Sequence, residues 1–327
     1  MKKKIVALCM LATLALSACG GGSKTSTDST KAAGGATVDE PIEIVISHIA
    51  DENHTWHKGS EKFKEVAEEK SGGRLKVTIY PNSQLGNEID TIQSILTGGG
   101  CDITFTAESM QTYAEELGVI GMPYAIKSEE QLYKVLDGEV GKEMEDIMLN
   151  SGMRVLGYFV RGPRNITSNT PIKTPDDLKG FIIRTPQSPM TVAAFEAMGA
   201  KPTPMAFSEV FTSLQQGVIN GQENPLAMIK SGSLYEVQKY VNETEHLRAW
   251  VYIAMGEKKY QAAKEAQAYE HELFLEDEKK LKGELEEKGM EFVEVDQSLF
   301  SEKAIPGVEA ILTDKQKALY DKIKAVQ

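Results

Sequence analysis

Cysteine is scarce: three residues, at positions 9, 19 and 101, in a chain of 327. That number supplies no disulfide framework. Aromatic residues make up 7% of the chain, and Lys and Arg total 36 against 48 Asp and Glu. The resulting formal net charge of −12 repels phosphate backbones, and no basic cluster beyond the first four residues overrides it, so nucleic acid is a poor partner. Long apolar runs are missing as well. The run over residues 5–16 is shorter than the roughly 18 to 20 residues needed to span a bilayer. There is no Gly-x-Ser-x-Gly elbow, no phosphate-binding P-loop and no Gly-x-Gly-x-x-Gly fingerprint. What is present, 41% hydrophobic and 26% charged residues, is enough to bury one large core or two ordinary ones.

Met1-Lys2-Lys3-Lys4, the short apolar run and Leu16-Ser17-Ala18-Cys19 together resemble a bacterial lipoprotein signal with its lipobox. The resemblance implies a signal peptide over 1–18, cleavage before Cys19 and lipid on its sulfur, leaving Cys101 as the free thiol. Between Cys19 and Val38 the residues are Gly, Ser, Thr, Ala, Lys and Asp without apolar periodicity, which predicts a flexible tether over 19–39. The folded part is expected to begin near Glu40, outside the cytoplasm.

From there the pattern is α/β. Residues 42–46 read as a strand, Trp56, Phe63, Val66 and Ala67 recur at helical spacing, and Leu75, Val77 and Ile79 alternate as a second strand. A helix carrying Ile89, Ile92 and Ile95 runs into three glycines before a strand over 102–105, giving β-α-β-α-β. Residues 128–150 read as one long helical stretch, followed by a strand over 153–160. A second set opens at Thr174-Pro175-Asp176-Asp177, a helix start with a cap, an early proline and acids at the positive dipole end. Residues 181–183 read as a buried strand and 192–198 as a helix; Ser208 is expected to cap Val210, Phe211 and Leu214. Residues 218–219 read as a short strand, Asn220-Gly221 as a turn and Pro225 as the opening of another helix. Residues 257–289 predict a charged helix long enough to run alongside both halves. The expected division is lobe I over 40–161 plus about 250–270, and lobe II over 162–249 plus about 271–327.

Phe181-Ile182-Ile183-Arg184-Thr185-Pro186 places a guanidinium at the carboxyl end of an apolar strand, where ligand crevices lie in open α/β sheets. A buried arginine needs an anion. Spacing alone leaves two partners open, a ligand or an internal Asp or Glu. The segment continues through Gly199-Ala200-Lys201-Pro202-Thr203-Pro204-Met205, Ser208-Glu209-Val210-Phe211 and Leu214-Gln215-Gln216-Gly217 to Asn220-Gly221-Gln222-Glu223-Asn224-Pro225. This succession closely resembles the solute receptors of tripartite ATP-independent periplasmic (TRAP) transporters, the DctP family. Gly162-Pro163-Arg164-Asn165-Ile166-Thr167-Ser168-Asn169, Tyr80-Pro81-Asn82-Ser83-Gln84-Leu85-Gly86 and Ala107-Glu108-Ser109 extend the likeness upstream.

The resemblance implies a two-lobe, periplasmic-binding-protein-like (Venus flytrap) α/β fold with a long helix spanning both lobes. It implies that Arg184 forms the paired salt bridge with a ligand carboxylate, that Arg164 is a second, supporting arginine, and that Asn224 hydrogen-bonds the same carboxylate. Phe207 resembles an aromatic beside the ligand and Glu108 a first-lobe pocket residue. Both arginines are expected to be solvated when the site is empty. The ligand is a small organic acid, a C4-dicarboxylate or a sugar acid. The partners are the small and large integral membrane subunits of the permease, reached by a receptor tied to the membrane through lipid on Cys19. No cofactor and no catalysis are implied. One departure is an apparent shortening near residues 260–263, where the family carries a further stretch before its long helix.

Two other readings rest on residues alone. His48, His54 and His57, with Asp51 and Glu52 between, suggest a zinc receptor in which His54 and His57 share a face at a helix start. A lipid-anchored hydrolase using two acids is the other.

Overall fold

A computed structural model of the chain describes residues 41–255, 274–275, 277–278 and 280–326. Strands β1 (Ile42–Ser47), β2 (Leu75–Tyr80) and β3 (Ile103–Thr106) run parallel, with α1 (Thr55–Lys70) and α2 (Glu88–Thr97) as crossovers. Ile44 and Ile46 lie on one face of β1 and are buried in the same core cluster as Val77, Ile103 and Phe105. Helix α2 begins at a capping box in which Asn87 and Asp90 exchange side-chain and backbone bonds, and stops at Gly98, whose φ of 70° is left-handed.

Strand β4 (Val155–Val160) closes this sheet, separated from β3 by β10 (Trp250–Ala254), which returns from far along the chain and pairs antiparallel with both. The order is β2-β1-β3-β10-β4. The second sheet holds β5 (Arg164–Ser168), β6 (Ile182–Thr185), β7 (Lys201–Pro204), β8 (Gly221–Asn224), β9 (Tyr240–Leu247) and β11 (Glu291–Val293), in the order β11-β9-β5-β8-β6-β7. The chain crosses between the sheets after β4 and again after β9, and the two crossings meet where Arg161 N–H donates to the Ala249 carbonyl at 3.3 Å. This is the two-lobe α/β architecture.

Several elements differ from the sequence reading. The stretch 128–150 is two helices, α3 (Glu129–Leu136) and α4 (Glu139–Asn150), because Gly138 is extended and the chain doubles back. A Cβ at Gly141 would sit 1.9 Å from the Leu136 carbonyl oxygen, so that corner admits only glycine. The expected strand at 218–219 is irregular; the strand is β8, whose first residue, Gly221, was read as part of a turn. Ser208 lies inside a 3-10 turn (Phe207–Glu209) and does not cap α6 (Val210–Gln215), which has Glu209 at its N-cap and no side-chain cap bond. The helix read over 192–198 is α5 and begins three residues earlier (Pro189–Ala197), and α7 (Leu226–Ser231) follows Pro225 as expected.

Helical residues within 274–287 touch both lobes: Asp277 pairs with Lys58 of α1 at 3.6 Å, while Lys282 pairs with Glu243 of β9 at 2.7 Å and Glu284 with Lys230 of α7. The expected shortening near 260–263 lies outside the described residues. The helix Gln297–Glu309 packs on α5, but Asp314–Ala325 packs on the first lobe, where Gln316 donates to the Glu115 carbonyl at 2.8 Å and Lys315 pairs with Glu116 at 2.9 Å. The tail that the sequence assigned wholly to the second lobe is divided between the two.

Candidate functional site

The site is built on three adjacent strands, β5, β8 and β6. Arg184 is the third residue of β6, next to Ile183, whose burial on one face of the sheet turns the guanidinium to the other. Arg184 is 4% exposed, and its Nε and Nη2 both donate to the Met205 carbonyl, at 3.0 and 2.7 Å. Among the described residues no carboxylate lies within 4.0 Å of it, and its terminal Nη1–Nη2 edge is left for another acceptor. Burial pushes it down to about 10; the charge of Glu223 resists the fall and that of Arg164 deepens it. The Phe207 ring centroid stands 6.0 Å from its Cζ.

Arg164, at the start of β5, is equally buried, at 3%, but its charge is answered inside the protein. Its Nε and Nη2 meet the two carboxylate oxygens of Glu223 at 2.5 and 2.6 Å, and Nη2 also reaches the Glu223 carbonyl at 2.9 Å. Nη1 lies 3.5 Å from Glu108 Oε1. Burial would raise the fully enclosed Glu223 carboxyl, yet Arg164 and the hydrogen bond from His246, 3.0 Å away, bring it down to about 2. The expectation that both arginines are solvated in the empty site is therefore corrected: both are almost fully buried, Arg184 against the Met205 carbonyl and Arg164 locked to an acid of the neighbouring strand.

Asn224 ends β8, with its amide donating to Gln222 Oε1, which in turn donates through Nε2 to Thr167. Glu108 enters from the first lobe on the turn after β3 and pairs with Arg161 at 2.9 Å. Burial opposes its charge, but Arg161 and then Arg164 hold it below the ordinary carboxylate range. Arg184, Arg164, Asn224, Phe207 and Glu108 all line one cleft of about 630 Å³. The same cleft is lined by Trp56, Glu88 and Arg161, which sequence reasoning did not single out. Cys19 lies outside the described residues.

The histidines do not converge as the zinc reading expected. His54 is the N-cap of α1, its Nδ1 accepting from the Trp56 N–H at 3.1 Å, whereas His48 Nε2 and His57 Nδ1 are 3.2 Å apart. Burial lowers both His48 and His54 to about 3, so both are neutral. Among the described residues no three His, Cys, Asp or Glu side chains are placed to hold a metal ion.

Comparison with known proteins agrees with this architecture. Residues 46–314 match the family described as bacterial extracellular solute-binding protein, family 7. A solute-binding protein of Roseobacter denitrificans is 41% identical over 304 residues, 89% of this chain and 93% of that protein. Its crystal structure, a TRAP periplasmic solute-binding protein with bound L-galactonate, superposes with a TM-score of 0.84 over 87% of this chain and 99% of that one. A TRAP protein from a Sulfitobacter species with bound β-D-galacturonate is 28% identical, with a TM-score of 0.83 over 86% of this chain and 99% of that one. The 2,3-diketo-L-gulonate-binding periplasmic protein of Escherichia coli is 32% identical over 75% of this chain and 79% of its own length. The chain therefore belongs to family 7 of the bacterial extracellular solute-binding proteins, the DctP-family receptors of tripartite ATP-independent periplasmic transporters.

Proposed function

We propose that this receptor captures a small organic acid by docking its carboxylate on Arg184, with Asn224 and Phe207 beside it. The observation that carries this reading is a buried guanidinium with its terminal edge turned to no protein carboxylate. A desolvated, unpaired charge is costly to hold. A carboxylate accepting two parallel N–H bonds from a planar fork would relieve that cost and fix the ligand's orientation. Arg164, neutralised by Glu223, supplies a rigid wall and a residual positive field. The relatives that bind L-galactonate, galacturonate and 2,3-diketo-L-gulonate support a sugar acid; a structural relative holds succinate, which makes a C4-dicarboxylate the competing ligand to test.

Capture is completed by closing the lobes, with bending absorbed where the chain crosses between sheets, near residues 160–164 and 248–254. Moving a two-state equilibrium from mostly open to mostly closed takes roughly 5 kcal/mol of differential binding. Charge-assisted hydrogen bonds at roughly 1.5 to 3 kcal/mol each supply it if both lobes contribute. The closed receptor then delivers its ligand to the small and large membrane subunits of the permease. Lipid on Cys19 keeps it at the membrane; Cys19→Ser is expected to move the protein out of the detergent phase or leave it unprocessed.

The test is a thermal-shift and titration series with L-galactonate, β-D-galacturonate and succinate. Binding at one per chain is expected to raise the melting temperature, since ligand at a hundred times its Kd adds about 2.7 kcal/mol. No stabilisation by any carboxylate would remove the reading.

A further inference from the structure

We infer that the cleft selects an acid with a single carboxylate and a hydroxylated tail, and that Glu88 is the residue that turns away a second carboxylate. The inference rests on the docking of one carboxylate at Arg184 and adds what the opposite wall does. Three arginines and three glutamates meet in and behind this cleft, and four of the six are already matched. Arg164 is held by Glu223, and Arg161 by Glu108. Arg184 is left for an anion, and Glu88 is left without a cation: among the described residues none lies within 4.0 Å of it. An open guanidinium facing a carboxyl group that has no cation beside it does not suit a molecule that is anionic at both ends.

Glu88 is fixed where it stands. It is the first residue of α2, directly after the Asn87 cap, and its Oε1 accepts the Ala107 N–H at 2.9 Å. That bond ties the helix start to the end of β3 and directs the carboxylate into the cleft. Glu88 and Glu108 line the same cleft as Arg184, so the acidic wall faces a ligand bound there. Burial, and then the neighbouring charge of Glu108, already raise Glu88 above the ordinary carboxylate range. A ligand carboxylate beside them would add to the same repulsion. Hydroxyl groups would instead donate to Glu88, while Trp56 and Ile89, which line the same wall, suit the C–H edges of a carbon chain. Discrimination of this kind works through the repelled competitor as much as through the preferred ligand.

The experiment compares two acids of one carbon skeleton, L-galactonate and galactarate, the second carrying a carboxylate in place of the terminal hydroxymethyl group. Calorimetric titrations use the full-length protein, Glu88→Gln and Arg184→Ala, with succinate as a short dicarboxylate control. Wild type is expected to favour L-galactonate over galactarate by tenfold or more, and Glu88→Gln to narrow that ratio by about tenfold, since an acid placed beside a ligand carboxylate disfavours the wrong partner. Glutamine keeps the acceptor for the Ala107 N–H, so the apo melting temperature should hold; if the variant does not fold, the wild-type ratio still decides. Equal binding of the two acids by wild type, or an unchanged ratio in Glu88→Gln, would overturn the inference while leaving the Arg184 docking intact. Binding of both acids undiminished in Arg184→Ala would instead overturn the docking. If neither acid nor succinate binds wild type, both readings fall.

Discussion

Arg164 and Arg184 flank the same strand, β8, one on each side, and both are almost fully buried. Their surroundings nonetheless divide their work. Arg164 has two carboxylate oxygens and a carbonyl of Glu223 around it, and the pair forms a closed unit backed by His246. Arg184 has one backbone carbonyl, and burial depresses it. Sequence position does not separate the two, because each stands beside a strand terminus next to a proline. The separation comes from which face of β8 the Glu223 side chain takes. A buried arginine already matched to an acid holds the fold together, whereas one left unmatched is available to a ligand.

The sharpest way to break this division is Arg164→Ala. Stranding Glu223 as an uncompensated buried charge is expected to lower apo stability by about 3–5 kcal/mol, read by urea denaturation. A loss under about 1 kcal/mol would mean the pair is not structural. Next in size is the acid limb of stability. Glu223 is held at about 2 against an ordinary 4.5, a lowered folded-state value, so its contribution is complete above about pH 4.5 and is lost as pH falls toward 2. At about 1.4 kcal/mol per pH unit this amounts to roughly 3 kcal/mol. Glu223→Gln should therefore flatten the fall in stability between pH 5 and 2 by about one proton, and an unchanged slope would place the acid-sensitive group elsewhere. The smallest effect sharpens the opposite wall: Asn87→Ala removes the cap of α2 and should cost about 1 kcal/mol in apo stability, with a weaker preference for L-galactonate over galactarate.

Much of the first lobe was legible because its elements obey simple periods: Ile44 and Ile46 alternate, Phe63, Val66 and Ala67 share a helix face, and glycines mark the ends. The centre of the second lobe was not. Gly221-Gln222-Glu223-Asn224 carries no apolar side chain, so nothing in its pattern announces a strand buried throughout. It is a strand because its polar groups satisfy one another: Gln222 with Thr167 and Asn224, Glu223 with Arg164 and His246. For the same reason Glu223 was missed as the partner of Arg164. The available signal was an acid directly beside Asn224; an internal Asp or Glu was considered only for Arg184, and no residue was named. Residues 128–150 misled in another way, since helix-favouring composition hid the corner that Gly138 and Gly141 allow. The cleft residues of the second lobe lay in recognisable motifs, but Glu88, Arg161 and Trp56 reach it through the tertiary fold, from a helix start, a crossing and α1.

The division between the arginines is tested most directly by titrating L-galactonate into Arg184→Ala and Arg184→Lys alongside melts of the ligand-free variants. The account predicts that Arg184→Ala loses affinity by about thirtyfold to several thousandfold, the cost of removing one partner from a desolvated charge pair. Arg184→Lys should also lose affinity substantially, because the charge survives but the fork does not. Neither ligand-free variant should melt below wild type, since among the described residues no carboxylate is paired with Arg184 to be stranded. Binding by Arg184→Lys equal to wild type, or a ligand-free Arg184→Ala that unfolds early, would contradict the account.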